Sequence, residues 1–263
     1  MNAQKIIEKL RTRSFHGIIF DFDGTLLDVM EPLQKSIEEV FTEKNIQADM
    51  ELTIQEVGAT LESIQGYPIP KILLQSFDIF KAITSLSHLT YLKKLRIAMK
   101  IFGKYQQYSK DAVVFPKAKE LISFLKKECA LFIVSHNQTR SILESLEKEG
   151  IEHVFKEIYG ADKLPALKPH PDAFLPILEQ YEKVKGSDWL VLGDMPSDIE
   201  AAKEAGLCTI GIASGISKKD VLANFSPDLL VDSLEELLDL IGIKNGRISN
   251  SDSNVQTSLK IKS

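Results

Sequence analysis

Short apolar runs alternate with helical patterns along most of this chain. The runs are short enough for buried strands and lie at about residues 15–21, 131–135, 156–160, 189–193 and 208–212. Apolar residues at helical spacing lie at about residues 117–128, 139–150, 171–184 and 197–205. Because strands that alternate with helices are typical of parallel sheets, the pattern predicts an α/β fold with a doubly wound parallel sheet.

Glycine and proline mark several of the expected helix ends. Gly150 and Gly206 follow helical patterns and are expected to end those helices, because glycine readily adopts the left-handed conformation found there. Pro176 lies inside the pattern at 171–184 and removes a backbone donor. A kink or a late helix start is therefore expected at Pro176.

Both ends of the chain carry further predicted elements. A short helix is expected within residues 1–13, where Ile6 and Leu10 recur at helical spacing. A strand at 229–231 and a helix at about 233–241 are expected to close the sheet domain.

The stretch between the first and second strands does not alternate. It contains helical patterns but no clear buried strand, and it is too long for a loop. We therefore expect a helical domain at 29–112 inserted into a core formed by residues 1–28 and 113–244. Residues 245–263 have few apolar side chains and are expected to be disordered.

Composition narrows the class of protein. With 263 residues, of which 44% are hydrophobic, the chain can bury a sizeable core. A net charge of -5 gives no nucleic-acid signature, and no apolar stretch is long enough to cross a bilayer. The first residues lack the apolar centre of a signal peptide. Cys129 and Cys208 lie far apart in apolar surroundings, so we expect reduced core thiols, no disulfide and a cytoplasmic protein.

Two acidic residues follow the first predicted strand directly. Asp21 and Asp23 lie two positions apart, so both side chains can face the crevice at the end of the strand while Phe22 packs the other way. Two buried carboxylates cannot both stay ionised and unpaired, so either a divalent cation neutralises them or one keeps its proton. The alternative is that Asp-x-Asp-Gly is only a polar turn.

The second strand ends at a hydroxyl group. Ser135 could donate to a phosphate oxygen, or it could cap the helix expected near Thr139. His136 and Asn137 follow and could also line the crevice, although a histidine in a loop is commonly just solvated.

Two later segments add a lysine and two carboxylates. Lys168 precedes a helix start, where its ammonium group could hold an anionic nucleophile and an anionic substrate together, or could be a simple surface charge. Asp194 ends an apolar strand and is placed to bind a hard cation. Asp198 could assist it or cap the next helix. Magnesium fits these oxygen ligands better than zinc.

The four segments, in this order, resemble the four motifs of the haloacid dehalogenase (HAD) superfamily. The resemblance covers roughly residues 15–240, and DFDGTLLD at 21–28 is its most specific part. It implies Asp21 as the nucleophile, Asp23 as the general acid and base, and Lys168 as the residue that steadies the phosphoryl group. Dehalogenases of the superfamily lack a carboxylate at the position of Asp23, so the chain looks like a phosphatase or a phosphotransferase.

The resemblance also implies the remaining site residues. The loop after the first strand and the second motif are expected to bind phosphate. The residues concerned are Gly24 and Thr25 in the loop and Ser135 in the motif, together with His136, Asn137 and Lys168. Mg²⁺ binding falls to Asp21, Asp194 and Asp198 together with the backbone carbonyl of Asp23.

The insertion looks like the helical C1-type cap of one HAD subclass. A cap excludes water and brings selecting groups over the leaving group. We expect the loop around residues 58–62 to meet the active site. Basic residues also share one face of a later helix, opposite Leu92, Leu95, Met99 and Phe102. They form either a solvated face, which is the commoner case, or a contact for an anionic substrate, which would involve Arg96 or Lys100.

These expectations converge on a Mg²⁺-dependent phosphatase of the phosphoglycolate phosphatase-like kind. Its partner would be a small phosphorylated metabolite such as phosphoglycolate, a sugar phosphate or a nucleotide, and it would be a monomer or a homodimer. One alternative is a mutase of the β-phosphoglucomutase type, for which residues 29–33 offer no histidine as the required base. Another is a binding protein that kept the fold and lost turnover.

Overall fold

The computed structural model describes residues 1–54, 56–57, 84–244 and 247–248. At its centre is a six-stranded, wholly parallel sheet with the order β3-β2-β1-β4-β5-β6. Its strands are β1 Gly17–Phe20, β2 Ala130–Val134, β3 Glu157–Tyr159, β4 Trp189–Gly193, β5 Cys208–Ile212 and β6 Leu229–Val231. This is the strand order of a doubly wound sheet, so the predicted α/β fold is confirmed.

Helices connect these strands. They are α1 Ala3–Arg11, α2 Met30–Lys44, α3 Tyr91–Tyr108, α4 Pro116–Leu125, α5 Thr139–Lys148, α6 Leu175–Leu178, α7 Pro196–Glu204, α8 Lys219–Ala223 and α9 Leu234–Leu240. Residues 50–54 and 56–57 are also helical. Gly150 and Gly206 follow α5 and α7 with φ values of 65° and 76°, as expected of glycines at helix ends.

The helix predicted at 171–184 is interrupted. A 3-10 turn at Pro171–Phe174 leads into the four residues of α6, and a second 3-10 turn follows at Glu179–Tyr181. Pro176 is the second residue of α6, so the late start expected from its missing backbone donor is observed.

Apolar side chains fill both faces of the sheet. Ile18 and Phe20 of β1 belong to one buried cluster, whereas Ile19 belongs to the other, as the alternation of side chains along a strand requires. Trp189, at the start of β4, is fully buried in the second cluster. A Cβ atom on Gly17 would lie 2.2 Å from the Trp189 ring, so the two strands need glycine at that position.

Residues 29–112 are called the inserted segment below. The chain that enters this segment and the chain that leaves it lie side by side. The Asp28 amide donates to the Val113 carbonyl, and the Phe115 amide donates to the Leu26 carbonyl, both at 2.9 Å. Leu27 forms single β-bridges with Asp23 on one side and Val114 on the other. Within the inserted segment, α2 packs against α3.

The buried face of α3 differs from the one predicted. Ile97, Ile101 and Tyr105 are buried at four-residue spacing, whereas Leu92 and Met99 are more than 60% exposed. Apolar residues occur on several sides of this helix, so the sequence alone did not select the buried side. The loop expected at residues 58–62 lies outside the described residues.

The end of the chain contains one strand pair that was not expected. Ile243–Lys244 pairs antiparallel with Arg247–Ile248, so the disorder predicted from residue 245 onward is wrong for 247–248. The other residues of that range lie outside the described part. Cys129 and Cys208 are buried free thiols, as expected. Among the described residues, no helix is long and apolar enough to cross a membrane.

Candidate active site

The candidate site lies where three neighbouring strands end. Phe20, the last residue of β1, is in register with Ile133 of β2 and Leu192 of β4. The Asp21 amide then donates to the Leu192 carbonyl at 2.8 Å, which places Asp21 beside the end of β4. The carboxyl ends of parallel strands form the ligand crevice of such sheets, so the predicted location of the site follows from the fold.

Lys168 lies at the centre of this group. Its Nζ donates to Asp21 Oδ1 at 2.7 Å, to Asp198 Oδ1 at 2.5 Å and to the Val134 carbonyl at 3.1 Å. The lysine side chain is only 1% exposed, so the interpretation as a surface charge is wrong. A buried ammonium held at three acceptors is a fixed positive charge next to Asp21.

Three carboxylates come close enough to share one cation. Oxygens of Asp21, Asp194 and Asp198 lie within 4.8 Å of one another, and all three residues are buried. Asp194 accepts hydrogen bonds from Thr25 Oγ1 at 3.1 Å and from the Ile216 amide at 2.7 Å. Three carboxylates beside one lysine leave an excess of negative charge when ionised, and hard oxygen ligands of this kind suit Mg²⁺.

Asp198 serves two functions at once. One carboxylate oxygen accepts from Lys168, and the other accepts from the Met195 amide at 3.0 Å, at the start of α7. The two possibilities raised by the sequence, support of the site and capping of the helix, are therefore both present in the structure. A capped helix holds this carboxylate in a fixed orientation.

Burial raises the pKa values of two residues in the acidic cluster, Asp21 and Asp194. The pKa of Asp21 lies well above its usual value because burial outweighs the opposing charge of Lys168. Burial, reinforced by the charge of Asp198, raises the pKa of Asp194 to about 7. A divalent cation would favour the ionised forms, so protonation and cation binding compete at this cluster.

Asp23 occupies a separate environment. Its carboxylate accepts from Asn137 Nδ2 at 3.1 and 3.3 Å, and burial raises its pKa to about 6. Its side chain is not part of the three-carboxylate group, so of the four expected metal residues only Asp21, Asp194 and Asp198 bring carboxylates together. A carboxyl group with a pKa near neutrality can both donate and accept a proton.

The second motif is buried rather than solvated. Ser135 Oγ accepts from the Asn137 amide at 3.1 Å, so Ser135 does not cap α5. The amide of Thr139, the first residue of α5, instead donates to Asp162 at 2.7 Å. His136 is 6% exposed, so the expectation of a solvated loop histidine is wrong.

Glycines allow the loops to approach the carboxylates. A Cβ atom would lie 2.2 Å from Asp194 Oδ2 if placed on Gly24, and 2.1 Å from it if placed on Gly215. Gly24 also has a φ of 81°, which disfavours other residues. Gly215 and the Ile216 amide were not predicted as parts of the site. Their only signal is their position in the loop after β5, since backbone donors have no side-chain signature.

Comparisons with known proteins agree with this geometry. The family described as haloacid dehalogenase-like hydrolase matches residues 18–212. A phosphoglycolate phosphatase from Vibrio parahaemolyticus is 26% identical over 230 residues, which cover 86% of this chain and 96% of that protein. A phosphoglycolate phosphatase from Haemophilus influenzae is 28% identical over 230 residues and is covered to 98%.

Solved structures show the same fold. A predicted phosphoglycolate phosphatase from Haemophilus somnus superposes with a TM-score of 0.64 at 26% identity, covering 86% of this chain and 98% of that one. The magnesium-bound HAD hydrolase YfnB from Bacillus subtilis superposes with a TM-score of 0.62 at 19% identity, covering 87% and 99% of the two chains. Because the family match spans most of the chain and includes the strands that end in the acidic cluster, the chain belongs to the haloacid dehalogenase-like hydrolases.

Proposed function

We propose that this protein is a Mg²⁺-dependent phosphatase that hydrolyses a small phosphate monoester through an aspartyl-phosphate. One observation carries the proposal: Asp21 is held by the buried Lys168, while Asp23, two residues away, is held separately by Asn137. Two carboxylates in different environments can take different roles, one as nucleophile and the other as acid and base.

The first half of the proposed reaction forms the covalent intermediate. A carboxylate oxygen of Asp21 attacks phosphorus, and the bond from phosphorus to the ester oxygen breaks. Asp23 donates its proton to that departing oxygen, for which a pKa of about 6 is well suited. Lys168 places positive charge beside the attacking carboxylate and the incoming phosphoryl group.

The second half regenerates the enzyme. Asp23, now ionised, accepts a proton from water as the water oxygen attacks phosphorus. The bond between phosphorus and Asp21 breaks, which releases inorganic phosphate and restores the Asp21 carboxylate. Bound Mg²⁺ would supply charge neutralisation at the phosphoryl oxygens, and Asp21, Asp194, Asp198 and the Asp23 carbonyl are the groups proposed to hold it.

Phosphoglycolate is the first substrate to test. The curated relatives named as phosphoglycolate phosphatases align over about 86% of this chain, including both the core and the inserted segment. Sugar phosphates and nucleotides belong in the same panel, because the aligned identity stays below one third.

The test is release of inorganic phosphate from phosphoglycolate, a hexose phosphate, a nucleoside monophosphate and p-nitrophenyl phosphate, with Mg²⁺ or with EDTA. We expect Mg²⁺-dependent release that falls on the order of 10³-fold or more in Asp21→Asn, because the nucleophile is lost. Asp239→Asn makes the same chemical change on the exposed side of α9 and should have no effect. A folded wild type that releases no phosphate, or an active Asp21→Asn variant, would contradict the proposal.

A further inference from the structure

Asn137 holds the carboxylate of Asp23. Its Nδ2 atom lies 3.1 and 3.3 Å from the two carboxylate oxygens and donates to them. From the sequence, Asn137 was expected beside a bound phosphate. In the structure, its side-chain amide instead contacts the residue that acts as acid and base in the proposed function.

The orientation of this side-chain amide is fixed by the next residue. The backbone amide of Gln138 donates to Asn137 Oδ1 at 2.8 Å, so the other end of the group is the nitrogen. Turning the side-chain amide over would place two donors against each other at Gln138 and two acceptors against each other at Asp23. Asn137 therefore contacts Asp23 as a donor.

The backbone of Asn137 is held at both of its polar groups. Its amide donates to Ser135 Oγ at 3.1 Å, and its carbonyl accepts from the Ala161 amide at 2.8 Å. A Cβ atom on Gly160 would lie 2.5 Å from that carbonyl oxygen, so the two loops are in close contact. Ser135 follows β2 and Gly160 follows β3, so the ends of two strands support the residue that holds Asp23.

The contact with Asn137 fixes the orientation of the Asp23 carboxyl group. A carboxyl group has two oxygens with about four lone-pair positions, and the proton that it transfers lies on one of them. Because Asn137 Nδ2 lies near both oxygens, the transferable proton is directed away from Asn137. Without this donor the carboxyl group could rotate, and its proton would be aligned with the departing oxygen for only part of the time.

We infer that Asn137 is a positioning residue that acts through Asp23, by holding its carboxyl group in the orientation from which it protonates the departing oxygen of the ester. This inference rests on the proposed function and gives Asn137 a part in its first half. The proton passes from Asp23 to the ester oxygen as the bond from that oxygen to phosphorus breaks, which leaves an alcohol and the Asp23 carboxylate.

The importance of that proton depends on the ester. An alkoxide is a poor leaving group and needs the proton, whereas p-nitrophenolate departs readily without one. The test therefore compares p-nitrophenyl phosphate with the alkyl ester of the panel that wild type hydrolyses fastest. The quantity measured is kcat/KM, because it covers the steps up to departure of the alcohol or phenol and excludes the later hydrolysis of the aspartyl-phosphate.

Asn137→Ala removes the donor. It should lower kcat/KM for the alkyl ester on the order of tenfold or more, because the proton donor is no longer aligned. The value for p-nitrophenyl phosphate should change far less, and inhibition by inorganic phosphate should be unchanged.

Gln138→Ala is the matched control. It removes a side-chain amide from the next position of the same turn, where the side chain is exposed, and it keeps the backbone amide that donates to Asn137. This variant should leave kcat/KM for both esters unchanged. Melting curves of both variants establish that they are folded before kinetics are compared.

A double-variant cycle with Asp23→Asn tests whether Asn137 acts through Asp23. Asp23→Asn cannot protonate the leaving group, so it should itself lower hydrolysis of the alkyl ester far more than hydrolysis of p-nitrophenyl phosphate. Adding Asn137→Ala should then change the ratio of the two kcat/KM values no further, because residues that act as a unit are not additive.

Three outcomes would overturn the inference. Equal losses on both esters in Asn137→Ala would show a merely structural role or, if inhibition by inorganic phosphate also weakens, phosphate binding. No loss on either ester would show that Asp23 does not need this donor. A further change of the ratio in the double variant would show that Asn137 does not act through Asp23.

Other outcomes would contradict the proposed function itself. These are a folded wild type that releases phosphate from no ester of the panel, and an Asp23→Asn variant in which the ratio of the two kcat/KM values is the same as in wild type.

Discussion

Two of the lysine–carboxylate contacts in this protein, one in the crevice and one between α2 and α3, lie in very different surroundings. In the crevice, Lys168 is 1% exposed and its partners Asp21 and Asp198 are 6% and 0% exposed. Between α2 and α3, the side chains of Lys100 and its partner Glu43 are 38% and 39% exposed. The chemical groups are similar, but water screens one pair and not the other.

This difference in exposure distinguishes the ion pairs of the candidate active site from the ion pairs that only help to hold two helices together. An exposed pair contributes about 0–1 kcal/mol and tolerates loss of a partner, whereas a buried charge depends on its partner for several kcal/mol. Lys100 contacts Glu43 and Lys104 contacts Glu39, so two basic residues of α3 already have partners on α2. This favours the supporting interpretation of the basic face of this helix, and the substrate-contact hypothesis for Arg96 or Lys100 stays a prediction.

Removing one lysine from each region gives the largest expected contrast. Lys168→Met leaves the carboxylates of Asp21 and Asp198 facing each other without their cation. Activity should fall on the order of 10³-fold, and the free energy of unfolding in EDTA should fall by about 3–5 kcal/mol. Phosphate release and urea unfolding measure the two quantities.

Lys104→Met is the matched change in the exposed region, where about 0–1 kcal/mol should be lost and activity kept. If Lys168→Met destabilises too strongly to assay, Lys168→Gln retains donors for the same acceptors and should still lose turnover. Comparable effects of Lys104→Met and Lys168→Met would remove the distinction between the regions.

The pH dependence of metal-free stability should carry the signature of the buried region. Asp194 has a folded pKa of about 7 against an ordinary value of 3.8, and Asp23 is raised to about 6. At a pH between the ordinary and the raised pKa of each group, the folded chain binds more protons than the unfolded chain. These groups therefore add stability as the pH falls from about 7 toward 4, and they reduce stability above that range.

Melting temperatures in EDTA at about pH 7.5 and about pH 5.5 test this sign. Asp194→Asn keeps an oxygen for the Ile216 amide but removes the charge, so it should raise the melting temperature at the higher pH by roughly 2–4 °C per kcal/mol gained. It should also weaken the pH dependence and abolish Mg²⁺-dependent activity. A lower melting temperature at both pH values would contradict the prediction.

Alanine substitutions at two glycines, one beside the acidic cluster and one in α3, give the smallest expected difference between the two regions. An Ala side chain at Gly215 must displace the Asp194 carboxylate, whereas a Cβ on Gly103 of α3 meets no described atom within 4 Å. Gly215→Ala should raise the Mg²⁺ concentration for half-maximal activity about tenfold. Gly103→Ala should add about 0.5–1 kcal/mol of stability without changing activity. A Mg²⁺ titration and a melting curve of each variant decide the matter.

The sequence predicted the sheet and the acidic cluster because both follow from local rules. Buried parallel strands are continuous apolar runs, and polar residues such as Asp21 and Asp194 stand where those runs stop. The position of Lys168 was predicted as well. A contact between Lys168 and the anionic nucleophile was one of two possibilities raised by the sequence, but its contact with Asp198 was not foreseen, because it depends on residues 30 positions apart coming together at the site.

Other features escaped prediction for physical reasons. α3 carries apolar residues on several sides, so its buried line through Ile97, Ile101 and Tyr105 becomes visible only once α2 packs against it. The Ile216 amide is a backbone donor and leaves no trace in residue type. The pair Ile243–Lys244 and Arg247–Ile248 is too short to show periodicity.

Trp189 is the single tryptophan of the chain, and it is fully buried at the first position of β4. Asp194 follows the last residue of the same strand, about 16 Å away along the chain direction. Tryptophan fluorescence therefore reports on the sheet at its end opposite the acidic cluster. The inserted segment contains no tryptophan and does not contribute to this signal. The protein carries a built-in optical probe with which melting of the sheet can be followed separately from events at the crevice.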